Sequence, residues 1–304
     1  MRQPAFLKPG DRIRVVSPSG KVDAEKIISG IELLRTEGFE LLVSDHVFGT
    51  HFQFAGTDQQ RLHDVQEALD DPDCRAIVCA RGGYGAIRLA EQLCLDGFRH
   101  NPKWLVGFSD ITVLHAILQK EGFDSIHGPM PGFYLNDGAP TESFRQLVRL
   151  LKGKNTTYRF QPHNLNRNDQ AEGLLCGGNL SIVYSLLGTP WQIETSGKIL
   201  FIEDVSEYLY HLDRMMHGLK LSGSLAGLKA LLVGGFTEMK DNDSPFGQSA
   251  EEIIRAAVAD YNYPVVFNCP SGHTDENMPL VFGRNYCIGK QNGNVYLETA
   301  KRKR

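Results

Sequence analysis

The chain has 304 residues, 41% of them hydrophobic and 22% charged, with a formal net charge of −4. This is the composition of an ordinary globular protein long enough for two domains, and its acidic balance gives no electrostatic reason to expect nucleic acid as a partner. No apolar stretch approaches a membrane span, and Met1 to Gly10 lacks the apolar centre of a signal peptide, so a cytoplasmic protein with no membrane partner is expected.

The first half alternates strand and helix patterns. Ile13 to Ser17 reads as a strand ending in Pro18-Ser19-Gly20, and Ala24 to Glu37 as an amphipathic helix stopped by Gly38. Phe39 to Val43 is the next strand and Arg61 to Leu69 the next helix. Ala76 to Ala80 is a buried-type strand running into Arg81-Gly82-Gly83-Tyr84-Gly85, followed by a helix pattern over Ala86 to Leu93. Then come a strand over Trp104 to Phe108 and a helix over Ile111 to Lys120. Thr141 to Lys152 is a further helix. This β-α-β-α rhythm predicts a parallel sheet with helices on both faces, and such sheets bind ligands beyond the carboxyl ends of their strands.

Residues 153–170 are polar, rich in Asn and without clear periodicity, which reads as a linker between a domain over 1–152 and a second over 171–304. The second half is richer in strands: Gly173 to Cys176, Lys198 to Ile202, Ala230 to Val233, Pro264 to Asn268, Leu280 to Phe282 and Asn294 to Leu297. Helix patterns cover Leu180 to Leu187, Tyr210 to Ser222 and Ser249 to Tyr261. A smaller α+β domain is expected, ending in a frayed basic tail, Lys301 to Arg304. Cys74, Cys79, Cys94, Cys176, Cys269 and Cys287 are scattered, with no C-x-x-C pair. They read as reduced thiols, several of them buried, and Cys and His do not cluster at metal-ligand spacing.

Ser109 is the residue with the most suggestive address, in Gly107-Phe108-Ser109-Asp110-Ile111. An apolar strand ends at a glycine and a helix pattern begins at once, which would present the hydroxyl in the open at a helix N-terminus. Ile111 stands where the second glycine of G-x-S-x-G belongs, and Ser109 as a plain helix cap is the competing reading. A serine needs a base, usually His, oriented by a carboxylate. His115 sits six residues into the helix, which takes it off the turn, and reads as a structural or surface histidine; His211 and His217 lie in a helix pattern without special context. His127, before Gly128-Pro129, is the rival in the first domain. His273 lies in a loop punctuated by Pro270 and Gly272, directly after a strand, where functional side chains are often held. Glu203 and Asp204 end an apolar strand, where a buried carboxylate needs a partner. Gly82-Gly83 would let a backbone N–H approach a substrate, and Gly177-Gly178-Asn179 is a second glycine-rich strand-to-helix turn. Neither G-x-G-x-x-G nor G-x-x-x-x-G-K-[ST] occurs, against a nucleotide-phosphate site.

Taken together, Arg81 to Gly85, Gly107 to Asp110, Gly177 to Ser181, Phe201 to Asp204 and Gly272 to Asn277, with Gly188-Thr189-Pro190 and Leu7 to Asp11, resemble the LD-carboxypeptidase family of serine peptidases, which includes the microcin C immunity peptidases. The segments run in the family's order along nearly the whole chain. The resemblance implies a first domain of class I glutamine amidotransferase type carrying Ser109 as nucleophile, and a second carrying His273 as general base and Glu203 to orient it. It further implies an oxyanion hole from the backbone N–H groups of Gly83 and Asp110. Arg81, Gly82, Tyr84 and Asn179 are then the candidates for holding a peptide. The implied enzyme is metal-free, needs no cofactor and is often a homodimer. The implied reaction releases the terminal D-alanine from murein tetrapeptide in peptidoglycan recycling. Cleavage of an acyl-nucleotide conjugate, with Trp191 under the base, is the alternative within the family; a non-catalytic small-ligand binder is the alternative outside it.

Overall fold

The computed structural model describes residues 1–167 and 170–300, and the basic tail lies outside them. The chain divides into two compact units, Met1–Lys154 with Met278–Val281, and Asn155–Asn277 with the remainder from Phe282.

The first unit is built on a six-stranded sheet in the spatial order Leu280–Phe282, Ser125–His127, Trp104–Gly107, Cys74–Cys79, Arg12–Val16, Glu40–Val43. The first five strands in chain order are parallel neighbours, with Val16 opposite Cys79 and Val106 opposite Ile126. Their order, 2-1-3-4-5, is that of a doubly wound sheet whose direction of winding reverses between the first and third strands. The alternation of side chains shows both faces covered. Ile13, Ala76, Val78, Trp104 and Val106 form one core with Leu34 of the helix Ala24–Thr36 and with Phe144, Leu147 and Leu151 of the helix Glu142–Leu151. On the other face Val16, Ile77 and Leu105 meet Val65 and Leu69 of the helix Asp58–Asp70 and Leu114 and Ile117 of the helix Thr112–Lys120. The helix Asp58–Asp70 starts a turn before the sequence pattern suggests, because Thr57 and Gln60 close a capping box.

Two expectations change here. Ala86 to Leu93 forms two short 3-10 turns, Ala86–Arg88 and Ala90–Gln92, instead of one helix. Gly85 enters at φ 139, and the Ala86 N–H is taken by the carboxylate of Asp110, so the chain is held to a tighter course at its start. The run Leu280–Phe282 is a strand as its apolar pattern suggests, but it belongs to this first sheet, beside Ser125–His127. A fully buried apolar triplet carries no label saying which sheet it completes.

The second unit has a seven-stranded sheet in the order Val265–Val266, Ala230–Thr237, Ile199–Val205, Ala171–Asn179, Asn285–Gln291, Asn294–Thr299, Thr157–Phe160. The first four are parallel and alternate with the helices Leu180–Ser185, Leu209–Leu221 and Ala250–Ala257. The last three continue from Ala171–Asn179 as an antiparallel meander. The segment read as a linker therefore contributes a strand, Thr157–Phe160, in which Tyr158 and Phe160 are buried and Thr157 and Arg159 exposed. Its alternation is genuine but only four residues long, among polar neighbours. Four of the six cysteines are buried, Cys287 is half-buried and Cys94 exposed. No helix of the described residues is long and apolar enough to cross a membrane.

Candidate active site

In the first unit, the loops after the first, third and fourth strands meet where the winding reverses. Ser109 sits on the turn after Trp104–Gly107, with φ 64, a left-handed conformation that a serine adopts only at a cost of about 1–3 kcal/mol. An N-cap residue is extended; here Phe108 holds that place, at φ −148, and a 3-10 turn begins at Ser109 itself. The reading of Ser109 as a helix cap is therefore not what the backbone does. The residue is a strained elbow with a half-buried hydroxyl. The departure from G-x-S-x-G is also explained. A Cβ on Gly107 would lie 3.0 Å from both Ile111 Cγ1 and Cγ2, so the first glycine makes room for the isoleucine that replaces the second.

Gly82 is equally constrained, since a Cβ there would stand 2.9 Å from Ser109 Cβ and 3.1 Å from its Oγ. Gly83 follows with φ 100, and the Gly82 carbonyl accepts the Gly20 N–H at 2.9 Å, which ties the first and third loops together. Asp110 is 1% exposed; its Oδ2 accepts from Ser19 Oγ at 2.6 Å and from the Ala86 N–H at 2.8 Å. Burial pushes the Asp110 carboxyl above its ordinary range, against the pull of those two bonds and of the Arg61 charge. The fully buried Arg61 guanidinium donates to the carbonyls of Pro18 and Gly85, the latter at 3.1 Å. Ser19 and Arg61 carry no motif of their own in the sequence; only the fold shows that they frame the turn. Arg81 is exposed and donates to the Lys21 carbonyl at 2.6 Å, and Tyr84 is 48% exposed.

The first-unit histidines play other parts. His115 is wholly buried, with Nε2 2.9 Å from the Gly107 carbonyl and Nδ1 2.9 Å from Ser125 Oγ. A carbonyl can only accept, so the Nε2 nitrogen carries the proton and Nδ1 accepts from the serine. Burial lowers its pKa to about 4, which keeps it neutral. His127 is also buried, with its ring 6.0 Å from that of Phe108.

In the second unit, Glu203 lies near the carboxyl end of Ile199–Val205 with no exposed surface. Its Oε2 accepts from His273 twice, from the backbone N–H at 3.0 Å and from ring Nδ1 at 2.7 Å. This fixes both the position of the residue and the face of its ring, and directs Nε2 away from the carboxylate. The loop is shaped for the purpose: Gly272 has φ 97, and a Cβ on it would meet Glu203 Cγ at 2.5 Å. Its N–H donates to Asn277 Oδ1 at 2.9 Å, and Thr237 Oγ1 donates to the His273 carbonyl at 2.8 Å. Desolvation alone would lower the His273 pKa; the hydrogen bond and charge of Glu203, helped by the charges of Asp204 and Glu238, hold it above its ordinary value. Two other histidines pair closely with carboxylates, His46 with Asp64 at 2.8 Å and His211 with Glu207 at 2.6 Å. His273 differs in following a glycine that no other residue could replace without displacing the carboxylate.

Asp204 turns the other way. It accepts from Asn179 Nδ2, from the Ser181 N–H and from its neighbour Val205, each at 2.9 Å. Burial, and then the Glu203 charge, push its pKa up to about 7. Asn179 is 4% exposed and caps the helix Leu180–Ser185, accepting from the Ile182 N–H at 3.3 Å. Its amide is engaged within the unit at both ends. Among the described residues there is no group of three or more His, Cys, Asp or Glu arranged to hold a metal ion.

A serine on a strained strand-to-helix elbow, at the carboxyl edge of a parallel sheet, is the mark of an α/β hydrolytic enzyme. The particular family follows from comparison: residues 13–128 match the LD-carboxypeptidase N-terminal domain and residues 172–288 the LD-carboxypeptidase C-terminal domain. The chain belongs to the LD-carboxypeptidase family of serine peptidases. It is 33% identical to a Bacillus subtilis protein named "Probable murein peptide carboxypeptidase", over 92% of this chain and 89% of that one. It is 31% identical to the murein tetrapeptide carboxypeptidase of Pseudomonas aeruginosa, over 90% and 91% of the two chains. The crystal structure of muramoyltetrapeptide carboxypeptidase from Oxalobacter formigenes superposes with a TM-score of 0.86 at 30% identity, covering 95% of this chain and 99% of that one. The microcin C7 self immunity protein MccF shares the fold, with a TM-score of 0.84 at 24% identity over 98% of each chain.

Proposed function

We propose that this LD-carboxypeptidase hydrolyses the amide bond between an L-centre and a terminal D-alanine of murein tetrapeptide, with Ser109, His273 and Glu203 as its catalytic triad. The observation that carries the reading is the Glu203–His273 pair, in which one buried carboxylate oxygen holds both the backbone and the ring of a histidine. With Nδ1–H donated to Glu203, Nε2 is the nitrogen that takes a proton in the reaction. The strained Ser109 elbow is the matching nucleophile.

In this reading His273 Nε2 takes the Ser109 proton as Oγ attacks the scissile carbonyl carbon. The carbonyl π electrons move to oxygen, and the oxyanion accepts hydrogen bonds from the backbone N–H groups of Gly83 and Asp110. The imidazolium then gives its proton to the leaving nitrogen, the C–N bond breaks and D-alanine departs. Water repeats the cycle on the acyl-serine and restores the hydroxyl. A carboxypeptidase must also recognise a free carboxylate, and Arg81, exposed and anchored by one arm on the Lys21 carbonyl, is the proposed partner. Gly82 and Tyr84 would flank the bound peptide beside Arg81. A role in peptidoglycan recycling, a cytoplasmic location and a homodimeric state rest on the family resemblance. Muropeptides are preferred over acyl-nucleotides because the relatives with murein names are 31% and 33% identical, against 24% for the microcin immunity protein.

The test is mass-spectrometric: purified protein is incubated with murein tetrapeptide and the products are followed. Tripeptide and free D-alanine are expected from the wild type, with a loss of about 10³-fold or more in Ser109→Ala. A tetrapeptide left intact by the wild type would overturn the substrate, and unchanged release by the variant would overturn the nucleophile.

A further inference from the structure

We infer that the Asp110 carboxylate is a positioning group for the oxyanion hole: it clasps together the three loops that carry the nucleophile and its hydrogen-bond donors. The inference rests on the proposed assignment of Ser109, Gly83 and Asp110, and goes beyond it by giving work to a side chain where only the backbone N–H of that residue had a role.

The geometry is specific. Asp110 belongs to the loop after the fourth strand and is the immediate neighbour of Ser109. Its Oδ2 reaches Ser19 Oγ, in the loop after the first strand, at 2.6 Å. The same oxygen reaches the Ala86 N–H, at the end of the loop after the third strand, at 2.8 Å. One buried oxygen thus joins all three loops at the point where the sheet reverses its winding. Arg61 braces two of them through the Pro18 and Gly85 carbonyls, and the Gly20–Gly82 bond closes the ring.

Gly83 lies inside this ring, between Gly82, whose carbonyl is tied to Gly20, and Gly85, whose carbonyl is tied to Arg61. A glycine at φ 100 has no side chain to fix its peptide plane, so its direction is set by the points on either side. Oxyanion stabilisation depends on donors that are already aimed before charge develops. The buried carboxylate supplies that aim. A desolvated acid next to a nucleophile would otherwise be an expense without a return: Asp110 is 1% exposed, and nothing about the elbow itself requires a charge there. The clasp does not touch the reacting atoms, so its loss should weaken the binding of a tetrahedral species and leave ground-state binding largely intact.

The test compares Asp110→Ala, Asp110→Asn and Ser19→Ala on two readouts: steady-state turnover of tetrapeptide, and inhibition by a peptidyl boronic acid that forms a tetrahedral adduct on serine. Ser19→Ala removes one hydroxyl and keeps the experiment informative should Asp110→Ala fail to fold. The expected result is a fall in kcat of about 10- to 100-fold with KM within about 3-fold, a parallel loss of boronate affinity, and substantial recovery in Asp110→Asn, whose amide oxygen can still accept both bonds. Unchanged kcat and boronate affinity in Ser19→Ala would overturn the clasp, as would losses that follow thermal stability alone. Full activity in Ser109→Ala is a separate outcome. It would overturn the nucleophile assignment and the clasp with it, whereas failure of the clasp leaves the nucleophile standing.

Discussion

The two units make functional groups by opposite means. In the first, the chemistry is in the backbone: a serine held at positive φ, glycines where a Cβ would strike it, and three loops tied by a carboxylate and a guanidinium. In the second it is in side chains: a buried glutamate grips a histidine by its main chain and its ring, and a single glycine gives the loop its shape. On the proposed assignment, the comparison teaches that a nucleophile is made by stressing the chain around a reactive atom, while a base is made by surrounding a titratable ring with the right charge. Changes in the two units should therefore fail in different ways.

The largest effect is expected from removing the charge in the second unit. Glu203→Gln keeps the shape but presents an amide to Nδ1 and loses the preference for the productive tautomer, so kcat should fall by roughly 10⁴-fold. The pH profile gives an independent reading. Glu203 holds the His273 pKa above its ordinary value of 6.5, and the base works only when neutral, so the acid limb of kcat/KM should lie above that pH in the wild type. Without the carboxylate the limb should move to lower pH in the residual activity. A limb that stays in place would mean that His273 is not the group titrating.

Glycine substitutions come next and separate the units by mechanism. Gly82→Ala pushes a methyl towards Ser109 Cβ, at 2.9 Å, and should lower kcat on the order of 10²-fold through displacement of the nucleophile. Gly272→Ala strains a φ of 97 and meets Glu203 Cγ at 2.5 Å, so it should cost about 2 kcal/mol of stability as well as activity. Thermal melts beside turnover would show whether stability falls more in the second variant, as this contrast demands.

The smallest effect has the opposite sign. Ser109→Gly abolishes the proposed chemistry but relieves a left-handed serine, so the protein should gain about 1 kcal/mol, seen as a melting temperature raised by a few degrees. A variant less stable than the wild type would argue that the elbow is not strained.

Much of the first unit was legible in the sequence because its strands are continuous apolar runs, such as Ala76 to Cys79, separated by capped helices. The same property hid the place of Leu280–Phe282, since a buried run looks alike in any sheet. The strand Thr157–Phe160 was hidden by brevity, and the 3-10 turns after Gly85 by a force from elsewhere: the pull of Asp110 on Ala86, across 24 positions, overrides the helix pattern that the local sequence carries. The site shows the same division. Ser109, Glu203 and His273 stand at strand ends with glycine or acid neighbours, and their addresses are visible. Ser19 and Arg61 are ordinary polar residues until the fold buries them. Asn179 has a comparable address, and there its amide caps a helix and donates to Asp204.

The central proposal is that Ser109 and His273 act as one catalytic group. A double-mutant cycle on D-alanine release from tetrapeptide tests it most directly, with Ser109→Ala, His273→Ala and the two combined. Residues that act as a unit are grossly non-additive, so the double variant should be no slower than either single variant, within about 3-fold. Losses that multiply in the double variant would show two independent contributions and contradict the triad.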